Sequence, residues 1–434
     1  MGDHIVALVL AAGTGSRFGG GKLLASLRGK PLLQHVLDQV AEAGVDEAVV
    51  VLGRDADLVE NAIAWRAERR VRNPEPERGL ASSLQVAMAS LDPTVDTVLI
   101  LLGDQPLVAV GTIRALLDAP IDPTRPIVVP AYVIGGGRNP VLLRRAAFEL
   151  THEARGDRGL GPVLAAHSEL VADVPAAGGN PDVDTPEDLV RVVEAGWAAC
   201  VQANREQVDR IREVPDGADF YAPVQSLFRA DPTRTDDPVL HVLLDLIRPG
   251  ETWLDVGAGA GRFALPIARA LDPSGGSVVA LDASASMLEG LRDIAYDYAI
   301  ENIRTVEARW PPADPSALES DVALIAHVGY DIDTIGAFVD GLEAAARRLC
   351  VAVLMDRVPA SAADPFWPLV HLESRLALPA LPDFVELLRA RGRDPSVARV
   401  VTEPRRFESR DALEGFVRRQ LWIDPSGPKE ARLQ

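Results

Sequence analysis

The chain has 434 residues, 47% of them hydrophobic and 25% charged, with only two cysteines. At roughly 100 to 200 residues per domain, that length excludes a single small module and implies two or three domains, each with its own core. A formal charge of −19 repels a phosphate backbone, which argues against nucleic acid as a partner. Cys200 and Cys350 show no metal-ligand spacing, and two cysteines build no disulfide framework, which fits a reducing cytoplasm. Apolar runs such as Ile5 to Ala12 reach about half of the roughly 18 residues that span a membrane. No basic n-region with a cleavage site precedes them, so the expectation is a cytoplasmic chain with no membrane partner.

In chain order, short β-branched runs alternate with amphipathic stretches. The pattern predicts strands at His4 to Leu10, Glu47 to Leu52 and Thr97 to Leu102, and helices at Pro31 to Ala43 and Gly79 to Leu91. This is the rhythm of βαβ units on a mostly parallel sheet. Thr185 as a cap, Pro186 at the first helical position and acids in the first turn open a last helix to about Arg212. A first domain is therefore expected at 1–212, a polar, proline-rich connector at 213–238 and a second βα series at 239–434. The second series predicts helices at Val239 to Ile247 and Arg262 to Leu271. Its strands are expected at Thr252 to Val256, Ser277 to Leu281, Asp321 to Ala326 and Leu349 to Met355. Pro359 to Pro382 breaks this rhythm as an insertion over a site. The fold class is α/β, with two Rossmann-like domains.

The first strand runs into a glycine-dense turn, Leu10-Ala11-Ala12-Gly13-Thr14-Gly15-Ser16-Arg17-Phe18-Gly19-Gly20-Gly21-Lys22. Backbone N–H groups freed by glycine can wrap a polyphosphate, which Arg17 and Lys22 can neutralise. Ser16 stands at the first glycine position of a Walker A loop and Leu23 at its magnesium-binding hydroxyl, so it is not that loop; Phe18 likewise breaks a dinucleotide fingerprint. For Gly13 and Gly15 alone, a tight turn with no ligand is the plain alternative. Gly79, Ser82 and Ser83 open a helix with small residues and hydroxyls, which would let a base or ribose approach the backbone. Gly103-Asp104-Gln105-Pro106 places a carboxylate at the end of a parallel strand, where α/β sheets collect ligands. Asp182 and Asp184, before the last helix, could join Asp104 on one Mg²⁺, which typically takes one or two carboxylates plus phosphate oxygens and waters.

Together the LAAGTGSRFGGGK opening, GLASSL, GDQP, Gly156-Asp157-Arg158-Gly159 and DVDTPEDL resemble the MobA-like nucleotidyltransferases, and most closely the molybdenum cofactor cytidylyltransferases. The resemblance spans about Ile5 to Val193. It implies that Leu10, Ala11, Ala12, Gly13, Gly15, Gly79, Ser82 and Ser83 hold the nucleotide, Lys22 and Arg17 its triphosphate, and Asp104 the magnesium. Ala12, where guanylyltransferase relatives tend to have glycine, leans towards CTP. The family further implies a molybdopterin-type acceptor, with molybdenum enzymes or their chaperones as partners. Arg138-Asn139-Pro140 departs from the usual Gly-His-Pro and bears on the acceptor. The reaction, in-line attack of an acceptor phosphate oxygen on the α-phosphorus, needs positioning and charge neutralisation rather than a nucleophilic side chain.

A second turn, Trp253-Leu254-Asp255-Val256-Gly257-Ala258-Gly259-Ala260-Gly261-Arg262, again ends a strand and opens a helix. Arg262 breaks the nicotinamide fingerprint. With Asp282 ending the next strand, the segment from about Leu240 to Met355 resembles class I S-adenosylmethionine methyltransferases. That resemblance implies a site at Asp255, Gly257, Gly259 and Gly261, with Asp282 on the ribose, Glu307 near adenine and His327 near the sulfonium. His327 reads either as a general base or as a packing residue. Such folds usually finish with an antiparallel strand pair, of which Ser396 to Thr402 supplies one candidate. Two other readings stay open: a sugar or polyol phosphate acceptor, and a second domain that only binds S-adenosylmethionine or is a degenerate scaffold.

Overall fold

The fold is described from a computed structural model, for residues 4–13, 15–135, 137–214, 229, 231–312, 315–402, 406–407 and 409–433. Most of the expected connector therefore lies outside the described residues, as does Thr14 of the first glycine turn. The chain forms two compact units, residues 1–193 with 390–393, and residues 194–389 with 394–434. No helix among the described residues is long and apolar enough to cross a membrane.

The first unit is built on seven strands: β1 (Ile5–Ala11), β2 (Glu47–Leu52), β3 (Arg69–Arg72), β4 (Thr97–Leu102), β5 (Ile127–Tyr132), β6 (Val141–Arg144) and β7 (Val171–Ala176). Their order is β3-β2-β1-β4-β6-β5-β7. All neighbours are parallel except β6, which runs antiparallel to both β4 and β5. Because strand side chains alternate between faces, a strand covered on both sides must be apolar throughout. Strand β1 meets this condition. Val6, Leu8 and Leu10 pack with Ala81, Leu84 and Ala87 of the helix Leu80–Ala89, while Ala7, Val9 and Ala11 pack with Leu33, Val36 and Leu37 of the helix Leu32–Ala43.

The expected cap of the last helix is present. The Asp188 amide donates to Thr185 Oγ1 at 3.1 Å, and the Thr185 amide donates back to Asp188 Oδ2 at 2.7 Å. The helix runs Pro186–Ile211, but the two units divide inside it rather than at its end near Arg212. Beyond Val193 it buries its apolar side chains within the second unit: Trp197 donates to the Ile332 carbonyl at 2.8 Å, and Ile211 packs with Trp367, Val370 and Leu421.

The second unit holds β8 (Thr252–Val256), β9 (Ser277–Asp282), β10 (Ile303–Glu307), β11 (Ser320–Ala326) and β12 (Ala346–Val353), in the order β10-β9-β8-β11-β12 and parallel throughout. The helices Ala264–Leu271 and Ala285–Asp297 bury Leu265, Leu271, Leu291 and Ile294 in a core that includes Trp253. The expected strand at Ser396 to Thr402 is absent. Val397 and Val401 of that segment stand exposed, the latter 93%, so their β-branched pattern covers no sheet. Pro359–Phe366 and Trp367–His371 are short helical turns, and Leu381–Ala390 is a helix.

Candidate active site

Strand β1 has β2 on one side and β4 on the other, and the crevice past their C-terminal ends is where open α/β sheets place ligands. Glycine keeps this crevice narrow. A Cβ on Gly53, after β2, would lie 2.5 Å from the Ala12 carbonyl oxygen, and one on Gly103, after β4, would lie 3.0 Å from Ala11 Cβ. The glycine turn leaves β1 with Gly15 at φ 57° and Gly19, Gly20 and Gly21 all at positive φ. It closes through bonds from the Phe18 and Gly20 amides to the Gly15 carbonyl. A cleft of about 610 Å³ opens over it, lined by Ala11, Gly13, Gly15, Lys22, Gly53 and Leu58 among others. Leu10 and Ala12 instead face the sheet core on the opposite side.

Three distant segments converge on Lys22. Its ammonium donates to Asp104 Oδ2 at 2.5 Å and to Asp184 Oδ1 at 3.1 Å, and Arg17 stands 3.8 Å from Asp184 Oδ2. The Lys22 side chain is one-tenth exposed, whereas that of Asp184 is 46% exposed. Burial works against the Lys22 charge, but Asp104 and then Asp184 outweigh it and hold its pKa above the usual lysine range. The Val183 amide donates to the Asp104 carbonyl, tying the loop before the last helix to the end of β4.

Asp182, expected beside these as a third metal ligand, is engaged elsewhere. Its Oδ1 accepts from Gln105 Nε2 at 2.7 Å, and Gln105 Oε1 accepts from the buried Asn180 at 3.1 Å. Burial, with the nearby Asp104 charge, pushes the Asp182 carboxyl up. Among the described residues, no group of three or more His, Cys, Asp or Glu side chains is arranged to hold a metal ion. Asp104 and Asp184 remain as a pair directed at one cation. That suits Mg²⁺ if phosphate oxygens and waters complete its shell.

The GLASSL stretch is positioned from below. Asn73 donates to Ser82 Oγ at 2.8 Å and to Ser83 Oγ at 3.0 Å, and Ser82 donates to the Gly79 carbonyl. Both serines are buried, so their hydroxyls lock the helix start. Gly79 has φ 87°, and a Cβ there would meet Asp157 Oδ1 at 2.4 Å, which brings the Gly156 to Gly159 stretch against it. Sequence reading did not single out Asn73, Gln105 or Asn180. An amide three residues past a strand end was the available signal for Gln105, but nothing in the local pattern marks Asn73 or Asn180.

In the second unit, Gly257, Gly259 and Gly261 all have positive φ. A Cβ on Gly257 would clash with Val328, while Gly259 faces open space. Asp282 accepts from the Gly259 amide and the Ser284 amide, each at 2.8 Å. Asp255 is fully buried with Oδ1 unpartnered, and burial, with Asp282 nearby, pushes its carboxyl up to about 7. Glu307 ends β10 and is exposed. His327 follows β11 at φ 59° and donates its amide to the Val353 carbonyl at 2.8 Å. Burial and the Arg262 charge hold its imidazole pKa below the usual range.

Residues 7–171 match the MobA-like NTP transferase domain family. The curated bifunctional protein GlmU of Sphingopyxis alaskensis is 40% identical over 120 residues, 27% of this chain and 26% of that protein. This chain thus spans about a quarter of the length of the curated relatives it matches. Among solved structures, Rv0371c from Mycobacterium tuberculosis H37Rv is 32% identical, covering 44% of this chain and 98% of that one, with a TM-score of 0.41. A complex of Rv0371C with manganese is 30% identical over 44% and 99% of the two chains, with a TM-score of 0.39.

Proposed function

With residues 7–171 forming a MobA-like NTP transferase domain, we propose that the first unit transfers a nucleotidyl group from an NTP to a phosphorylated acceptor and releases pyrophosphate. The observation that carries this reading is the convergence of Asp104 and Asp184 on the ammonium of Lys22, a residue that also lines the glycine-rich cleft. Asp104 and Asp184 would hold Mg²⁺, which when bound neutralises phosphate charge and orients the oxygens. Backbone amides of the Gly13 to Gly21 turn wrap the phosphates, and Lys22 with Arg17 offsets the charge that develops on leaving pyrophosphate. An acceptor phosphate oxygen attacks the α-phosphorus in line while the bond to the β-phosphate oxygen breaks. No proton has to be taken by a side chain.

CTP is the donor that Ala12 favours, and a molybdopterin-type compound is the proposed acceptor. Arg138-Asn139-Pro140 leaves a sugar or polyol phosphate as the competing choice. Incubating the protein with Mg²⁺ and CTP, GTP, ATP or UTP, with molybdopterin, with a sugar or polyol phosphate, or with neither, tests this through pyrophosphate release. Release that needs both CTP and molybdopterin supports the reading. Release with another NTP and a sugar phosphate moves it to the competing acceptor.

For the second unit, the proposed ligand is S-adenosylmethionine, as cosubstrate of a methyl transfer. Its support is a glycine turn at the end of the middle strand, with Asp282 on the neighbouring strand and open space at Gly259. Both Asp282 oxygens already accept a backbone amide, so ribose hydroxyls would use their remaining lone pairs. Each such bond to a carboxylate is worth about 1.5 to 3 kcal/mol, so Asp282→Ala should weaken S-adenosylhomocysteine binding at least about tenfold by calorimetry. Absence of binding to the wild type would favour a scaffold role.

A further inference from the structure

The insertion after β12 borders an open cleft that lies wholly within the second unit. It opens just past the C-terminal end of β12, the end at which parallel sheets place their ligands. Its floor is apolar: Val358 and Ala380 pack with Tyr330, joined by Leu378. Into this cleft faces Arg375, whose side chain is one-tenth exposed.

Arg375 is held in place without being used up. Nη1 donates to the Ala360 carbonyl at 2.8 Å and to Asp364 Oδ1 at 3.2 Å, and the guanidinium lies 4.6 Å from the centroid of the buried Trp367 ring. Nε and Nη2 have no hydrogen bond among the described residues. The other acids of the cleft are committed. Asp364 also accepts from Arg357 at 2.7 Å, Asp383 accepts from the Ala380 amide at 2.8 Å, and Asp356 pairs with Arg399 at 2.9 Å. Nε and Nη2 are not among the buried unpartnered atoms, so they face the water of the cleft, and a ligand's oxygens would replace that water on donors already fixed in direction.

We propose that this cleft binds a small carboxylate with a compact apolar body, its two oxygens taking the free Nε and Nη2 side of Arg375. The planar fork of a guanidinium matches a carboxylate in two parallel bonds. A phosphate dianion fits less well, because the carboxylates of Asp356, Asp364 and Asp383 line the same cleft. The site stands independently of the S-adenosylmethionine reading, since it uses none of the residues of the second glycine turn.

The test uses the full chain and two probes of the same shape, 3-phenylpropionate and 3-phenylpropionamide, titrated by calorimetry. The acid should bind at least about tenfold more tightly than the amide, since only the acid offers the guanidinium two oxygens and an opposite charge. In Arg375→Gln the acid should lose that advantage, while the amide, which has a single oxygen to offer, changes much less. Should Arg375→Gln fail to fold, Leu378→Trp, which fills the apolar floor, should remove binding of both probes. Equal affinity of acid and amide for the wild type would overturn the proposal, as would no binding of the acid up to its solubility limit. Undiminished acid binding by folded Arg375→Gln would overturn it too.

Discussion

The ammonium of Lys22 lies 2.5 Å from Asp104 and 3.1 Å from Asp184, residues 82 and 162 positions further along the chain. One buried cation thereby links the glycine turn after β1, the end of β4 and the loop that opens the last helix of the first unit. It occupies the ground between the two carboxylates proposed to hold Mg²⁺, so Lys22 and the metal compete until a triphosphate gives Lys22 another partner.

Lys22→Met should therefore bind metal more tightly than the wild type when no nucleotide is present, by roughly tenfold, or about 1.4 kcal/mol. It should also bind NTP more weakly and react more slowly. Free Mn²⁺ measured by electron paramagnetic resonance during titration checks the first statement. Equal or weaker Mn²⁺ binding by the variant would contradict the competition.

The division of the chain within Pro186–Ile211 bears on fragments. A fragment ending at Arg212 carries Trp197, Val201 and Ile211, which are buried in the intact chain, into solvent. One ending at Val193 does not. The shorter fragment should stay monomeric and keep pyrophosphate release, whereas the longer one should associate or aggregate. Size-exclusion chromatography with light scattering distinguishes them, and the reverse order would refute the boundary.

Burial of Asp255 should give the second unit a distinct pH dependence. Its carboxyl is raised to about 7 in the folded chain, against about 3.9 when unfolded. Between those values the folded state holds a proton that the unfolded state has lost, so stability falls as pH rises through this window and levels off above about 7. Asp255→Asn removes the effect. Its melting temperature should gain on the wild type progressively from pH 5 to pH 8, and parallel melting profiles over that range would contradict the assignment.

Much of this was legible in the sequence wherever local pattern and tertiary environment agree. The strands at Glu47–Leu52, Thr97–Leu102 and Thr252–Val256 fall where short β-branched, largely apolar runs place them, because strands covered on both faces read as such runs. Lys22 and Asp104 were each legible as candidate site residues, Lys22 closing the glycine turn after β1 and Asp104 just beyond β4, but their direct ion pair is a product of the fold. Strand β6 has no signature in the sequence, because four residues carry too little periodicity to distinguish a strand from a buried turn. Ser396 to Thr402 misled for the converse reason: β-branched residues there meet solvent rather than a neighbouring strand. The Asn73 and Asn180 contacts depend on side chains brought together by the fold, and no spacing along the chain encodes them.

Asp104 is the residue proposed to carry the catalytic metal of a nucleotidyl transfer, and pyrophosphate release by Asp104→Asn decides whether it does. The substitution keeps the side-chain volume and one oxygen but removes the charge beside Lys22. With the NTP and acceptor that support turnover in the wild type, the rate should fall by about a thousandfold or more while the circular dichroism and melting of the first unit are retained. Release at the wild-type rate by a folded Asp104→Asn protein would contradict the account.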